Sequence, residues 1–178
     1  MFESVKTVIS PYVSRGAVCQ GYDPRAADVA REIAALVYDH LPQIRPEHVG
    51  STAVPGCDGT GVVDLLVPVP DGAMETVEEL LDRLGFQRHA GPEPSAEDRL
   101  LRVGSWAYEG QTFLVHLHVM GANSPAADEM RFFRACLKAD AELVKAYVAR
   151  KREIIAAGVT DCGEYCQRKG EFIRAMLG

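Results

Sequence analysis

Apolar positions along the chain change their spacing several times, and each change marks an element. Val29, Ile33, Leu36, Val37 and Leu41 recur at helical spacing behind Asp23-Pro24. A capping residue followed by a proline suited to the first turn predicts a helix over 24–41, which Pro42 and Pro46 stop. Residues 47–50 read as a short strand running into a Ser-Thr turn. Residues 62–69 are almost unbroken apolar and rich in valine, the pattern of a strand buried on both faces. Met74, Val77, Leu80, Leu81 and Leu84 return to helical spacing, with Gly85 placed as the terminating glycine. Residues 86–90 read as a further strand and 91–98 as a mobile, polar, Pro-rich loop. Residues 100–108 and 112–120 flank Glu109-Gly110 as a β-hairpin.

After Gly121 the pattern turns helical throughout. Ser124-Pro125 opens one helix through Phe133 and Leu137, Asp140 a second with Leu143, Tyr147 and Ile154, and Asp161 a third with Tyr165, Phe172 and Met176. The class is therefore α+β: a mixed sheet of four to five strands flanked by helices, then a C-terminal helical tail. Residues 1–21 read as an extension, strand-like over 5–9. Residues 22–178 read as one domain, with the sheet at about 22–120 and the tail at about 124–178. No internal repeat or low-complexity stretch interrupts this order.

Composition narrows the function classes. The 178 residues are 47% hydrophobic and 25% charged, ordinary values for a globular domain and unlike a disordered, collagenous or coiled-coil chain. There are 19 Lys and Arg against 25 Asp and Glu, a formal charge of −6 and a pI near 5.4. That balance opposes non-specific binding to nucleic acid, which rests on Lys and Arg at phosphates, and it leaves room for a local phosphate site. Residues 1–20 lack a secretory apolar core, and the longest apolar stretch, 61–70, is broken by Asp64, so no membrane partner is expected. Five cysteines without a CxxC pair imply a reducing, cytoplasmic setting. Cys162 and Cys166, one turn apart, read as two small helix residues, with a shared metal or redox role as the alternative.

Three places could carry chemistry. Asp64 is the only charge in GVVDLLVPV, and a carboxylate in an apolar strand needs a cation, a metal or strong hydrogen-bond donors. In FLVHLHVM, strand alternation sends Phe113, Val115, Leu117 and Val119 one way and His116 and His118 the other, about 6–7 Å apart. Two imidazoles on one face can grip a metal, bracket an anion, or simply lie on the polar side of a hairpin. The third place is His48-Val49-Gly50-Ser51-Thr52, followed by Gly56, Gly59 and Gly61. Its hydroxyls and glycine-freed N–H groups suit phosphate oxygens or an ordinary turn, and it is neither a Walker loop nor a dinucleotide fingerprint.

Taken in order, YDP, a helix, EHVGSTAVPG, VVDLLV and LVHLHV resemble the GrpB family, also labelled UPF0157. The tail agrees through FFRACLKAD, Tyr147, Lys151-Arg152-Glu153, Tyr165, Lys169 and Phe172-Ile173, and the likeness runs from about Tyr22 onward. The resemblance implies a nucleotidyltransferase-like fold, shared with polymerase β. That fold places a Gly-Ser turn ahead of a strand with two carboxylates one residue apart and a third carboxylate on a later strand. The carboxylates hold two divalent ions that clamp a nucleoside triphosphate. Gly50-Ser51 matches the turn and Asp64 the first carboxylate. Leu66 stands at the second, and His116 and His118 stand where the third is expected. The family's Lys-Pro pair ahead of the aspartate is Thr60-Gly61 here, and Ala26 replaces an aromatic after YDP.

Three readings follow. In the first, the protein moves a nucleotidyl group from a nucleoside triphosphate to a small molecule. Asp64, with His116 and His118, would hold a divalent metal: magnesium or manganese, with zinc as a further candidate. The histidines could instead act as general base, Gly50, Ser51, Thr52 and His48 would contact phosphate or substrate, and Lys151 and Lys169 would neutralise phosphate charge. In the second, a divergent enzyme on the same fold uses Asp64, His116 and His118 with one metal or none. In the third, the pocket binds a nucleotide or anionic metabolite without turnover.

Overall fold

The computed structural model describes residues 2–90 and 99–177. Among them, five strands form one mixed sheet in the order β1-β2-β5-β4-β3. They are β1 (Glu47–Val49), β2 (Val63–Val69), β3 (Gln87–Arg88), β4 (Arg99–Tyr108) and β5 (Gln111–Gly121). β2 and β5 run parallel; the other neighbours are antiparallel. The helices are α1 (Arg25–His40), α2 (Met74–Leu84), α3 (Pro125–Ala139), α4 (Ala141–Ala156) and α5 (Cys162–Leu177). This is the α+β class and the mixed sheet that the apolar pattern predicts.

Local chemistry explains the boundaries. The Asp23 carboxylate accepts the Arg25 N–H at 3.0 Å, Ser124 Oγ that of Ala127 at 3.2 Å, and Asp161 Oδ1 that of Glu164 at 2.8 Å. Asp140 accepts from Glu142 and Leu143. Each satisfies a helix-start donor that would otherwise lack a partner. The β4–β5 hairpin turns on Glu109 (φ 47°) and Gly110 (φ 76°), two left-handed residues whose twist matches that of the paired strands.

The two faces of the sheet differ. Val63, Leu65, Val67 and Val69 of β2 and Phe113, Val115, Leu117 and Val119 of β5 share one apolar core with Val29, Ile33 and Val37 of α1 and Val77, Leu80 and Leu81 of α2. On the other face Leu66 and Met120 pack with Val49 and with Ala127 of α3. Phe133, Leu137, Tyr147 and Val148 join α3 to α4 and enclose Val54 and Cys57 of the loop after β1, with Phe172 and Ile173 of α5 against them. The tail thus packs onto the loops of the sheet's second face.

Three expectations change. Residues 5–9 form no strand. The N–H groups of Val8 and Ile9 both donate to Leu84 O at the end of α2, and Ser10 makes an isolated bridge to Ser105. The unpaired carbonyl of a helix end supplies the acceptor that a strand neighbour would have supplied. Phe2 and Ile9 are buried in the main core, so the extension is part of it. The strand expected over 86–90 shortens to Gln87–Arg88, and the loop 91–98 lies outside the described residues.

Arg102 of β4 is fully buried on the core face, where it donates to Glu78 Oε2 at 2.7 Å and Asp82 Oδ1 at 3.1 Å of α2. Arg102→Ala should cost about 3 kcal/mol in urea unfolding, because it opens a cavity and strips the pairing. Arg102→Met should cost less than half of that, since Glu78 and Asp82 reach water. Equal losses in the two variants would show that the ion pairs, and not the volume, hold this contact.

Candidate functional site

Burial and register bring the expected residues together on the second face. Asp64 lies opposite His116 in the parallel β2–β5 pair, and His118 follows on the same face. Asp64 Oδ1 is 2.8 Å from His118 Nε2 and 3.8 Å from His116 Nδ1, and the two imidazole centroids are 6.4 Å apart. Arg99, at the start of β4, places Nη2 3.1 Å from His118 Nδ1. A guanidinium only donates, so His118 Nδ1 accepts, and its proton sits on Nε2, facing Asp64. The three side chains form one chain of hydrogen bonds, Arg99 to His118 to Asp64. Gly50 (φ 71°) lets the turn after β1 close over the carboxylate: a Cβ there would stand 2.7 Å from Asp64 Oδ2.

Electrostatics follow from this packing. Burial alone would raise the Asp64 pKa. The His118 hydrogen bond and the positive side chains around it outweigh burial and hold the carboxyl below its ordinary range. Burial pushes His116 down to about 4, against the pull of Asp64, so the imidazole is neutral at neutral pH. His116 Nε2 lies 2.9 Å from the Tyr12 hydroxyl.

The remaining expected residues divide. Ser51 opens a single 3-10 turn, Ser51–Ala53, beside Gly50. Lys151 reaches this turn but is fully buried. Its ammonium donates to Ser51 Oγ at 3.1 Å, to Asp58 O and to Cys57 Sγ at 3.4 Å, and lies 4.2 Å from the centre of the Tyr147 ring. Three hydrogens meet three acceptors, so Lys151 ties the tail to the turn instead of meeting phosphate charge as expected; burial also lowers its pKa. His48 and Thr52 are likewise corrected. The register of β1 puts His48 on the face of Leu65, opposite Asp64. Thr52 is buried, donates to Val62 O at 3.2 Å and lies 2.9 Å from His48 Nε2. They brace the turn from the core side. Burial, foremost, drops His48 to about 4.

Lys169 of α5 is the tail cation that addresses the site. It lies 5.5 Å over the Tyr165 ring, makes no ion pair among the described residues, and its charge acts on both Asp64 and His116. Cys162 and Cys166 are both exposed, and Cys162 Sγ donates to Arg15 O. Sequence reasoning missed Arg99 and Tyr12. Arg99 becomes legible only once the hairpin register sets Leu101 against His118. No local signal marks Tyr12.

The residues present do not fit a two-ion clamp. Leu66, at the second carboxylate position, is fully buried against Val49, Met120 and Ala127. His118 offers its protonated nitrogen to Asp64 and its lone pair to Arg99, the reverse of a metal-bound imidazole, whose free N–H faces an acceptor. Among the described residues no group of three His, Cys, Asp or Glu side chains is arranged to hold an ion.

Comparison with known proteins agrees with the fold. The family model described as GrpB protein matches residues 18–178. A UPF0157 protein of Streptomyces coelicolor is 32% identical over 159 residues, 87% of this chain and 79% of the relative. One from Pseudomonas aeruginosa is 32% identical over 139 residues, 78% of this chain and 56% of the relative. The crystal structure of conserved protein GrpB from Enterococcus faecalis matches with a TM-score of 0.67 at 20% identity, over 90% of this chain and all of that one. Cid1 in complex with its short product ApU matches with a TM-score of 0.52 at 15% identity, over 75% of this chain and 42% of that one. The last two likenesses are of fold, and the fold is nucleotidyltransferase-like. Matched by the family model from residue 18 onward and by these relatives over most of its length, the chain belongs to the GrpB family.

Proposed function

We propose that this protein is a small-molecule enzyme on the nucleotidyltransferase scaffold: it binds a nucleotide or related phosphate-bearing compound beside the Gly50-Ser51 turn, and Asp64, held by His118, takes a proton from the acceptor. The observation that carries this reading is the hydrogen-bonded chain Arg99–His118–Asp64 beside that turn. A carboxylate base must be ionised and held in one orientation. Here Arg99 sets the His118 tautomer, and the His118 N–H holds Asp64 Oδ1 and favours the ionised carboxylate.

Charge supports a phosphate-bearing ligand. Arg99 and Lys169 both stand near Asp64 and lack a carboxylate at ion-pair distance among the described residues. Arg99 Nε is buried with no hydrogen-bond partner. An anionic oxygen would satisfy that donor and offset the surplus positive charge. The fold likeness supports a second reading, metal-assisted nucleotidyl transfer from a nucleoside triphosphate to a small molecule. The missing second carboxylate and the engaged nitrogens of His118 weigh against it. The cytoplasmic setting and the small acceptor remain part of this proposal, and the RNA product named with Cid1 makes a short oligonucleotide the acceptor to test beside small ones.

The deciding experiment is a thermal-shift panel of nucleoside triphosphates, each with and without magnesium, manganese or zinc, followed by product analysis. Stabilisation by nucleotide alone, retained in EDTA, supports the acid–base reading. Stabilisation that needs both nucleotide and metal moves the assignment to nucleotidyl transfer, and none with either removes both. Asp64→Asn should lower turnover by about 10²–10⁴-fold while the protein stays folded. Lys169→Met should weaken triphosphate binding by about tenfold, roughly 1.4 kcal/mol, in titration calorimetry. Lys151→Met should chiefly lower the melting temperature. The reverse pattern for the two lysines would restore Lys151 as the phosphate contact.

Protonation gives an independent check. His48 and His116 titrate near 4 when folded and near 6.5 when unfolded, so between those values the unfolded chain binds more protons. Their stabilising effect is complete above about pH 6.5 and is lost as pH falls toward 4. Urea unfolding at pH 7.5 and pH 5 should show the decline, and His116→Gln should make it shallower. An unchanged slope in that variant would mean that His116 is already accessible to protons in the folded protein.

A further inference from the structure

The segment ahead of the matched family region passes from the core face, around the edge of β4, to the sheet's second face. Ser10 and Ser105 exchange both backbone hydrogen bonds, at 3.1 and 2.9 Å, and the Tyr12 N–H donates to Gln87 Oε1 at 2.9 Å. Cys162 Sγ then donates to Arg15 O at 3.1 Å, and the Ala17 N–H donates to Thr160 O at 2.9 Å. Gln20 and Gly59 exchange a further pair at 2.7 and 3.0 Å. The start of this path sits in a notch of β4: a Cβ on Gly104 would stand 2.3 Å from Ile9 Cγ2. The chain therefore runs from the β4 edge to the start of α5 and on to the loop before β2. Between its anchors Tyr12 reaches His116, hydroxyl to Nε2 at 2.9 Å and ring centroid to ring centroid at 5.3 Å.

The direction of that hydrogen bond follows from the other side of the ring. His116 Nδ1 faces Asp64 Oδ1 at 3.8 Å, an ionised oxygen that favours a proton on Nδ1. A neutral imidazole with its proton there has a lone pair on Nε2, so the phenol donates. We propose that Tyr12 is a positioning residue of the site: its hydroxyl holds His116 as the neutral Nδ1–H tautomer, with that N–H turned toward Asp64 and toward an oxygen of a bound molecule. The ligand would then lie between a donor, His116, and the acceptor Asp64. The role of His116 toward the ligand rests on the function proposed above; the tautomer does not. Burial, which keeps His116 neutral, agrees with this arrangement.

The test is ¹⁵N NMR of imidazole-labelled full-length protein at pH 7, wild type and Tyr12→Phe, with ATP thermal shift run on both. The wild type should show His116 as one Nδ1–H species. Removing the hydroxyl should give a mixture or the Nε2–H form, with a melting temperature within a few degrees of wild type, because only one hydrogen bond is lost. A structural contact would leave the tautomer unmoved. An Nε2–H wild type, or an unchanged tautomer in the variant, overturns the proposal whether or not ATP binds. A changed tautomer in a protein that ATP does not stabilise upholds the positioning role and removes the nucleotide reading. A changed tautomer with weaker ATP binding in Tyr12→Phe upholds both.

Discussion

Everything at the site follows from one costly placement, an ionised carboxylate in the central, apolar strand of the sheet. Asp64 interrupts a run whose odd-numbered neighbours fill the core, so its own face must supply the compensation. Compensation comes from the parallel partner strand, where register sets His116 opposite the carboxylate and brings His118 to 2.8 Å. Arg99 on the next strand completes the chain, and Gly50 on the other side leaves room for the second oxygen. Four segments distant in sequence thus converge on one half-buried charge.

The helical tail serves the same constraint less directly. Lys151, wholly buried, spends its hydrogens on Ser51, Cys57 and Asp58 and fixes the turn that lies against Asp64. Phe133 and Phe172 enclose Tyr147, at 5.2 and 5.4 Å between ring centroids, and the cation lies over that ring. This packing makes Lys151 a support and leaves Lys169 to set the local potential. Two lysines that look alike in the sequence differ because one meets three acceptors and the other makes no ion pair among the described residues.

Much of the architecture is legible in local patterns. The alternation in FLVHLHVM assigns faces correctly because a strand's side chains must alternate, and the caps at Asp23, Ser124, Asp140 and Asp161 mark helix starts because unpaired N–H groups need acceptors. His48 and Thr52 mislead for a related reason. Their types suit a phosphate loop, but the pairing of Val49 with Asp64 turns His48 to the opposite face. A one-residue difference in register decides between site and core, and register is a property of two strands together.

What the sequence by itself determined is the class of elements, their order, the apolar core and the isolation of Asp64, since each depends on neighbours within a few positions. Tertiary structure alone decided that Arg99 sets the His118 tautomer, that Leu66 closes the second carboxylate position, and that residues 8–20 bind back over the sheet to bring Tyr12 to His116. These are contacts between segments up to 147 positions apart. They depend on strand register and on the route of the chain, which no local periodicity encodes.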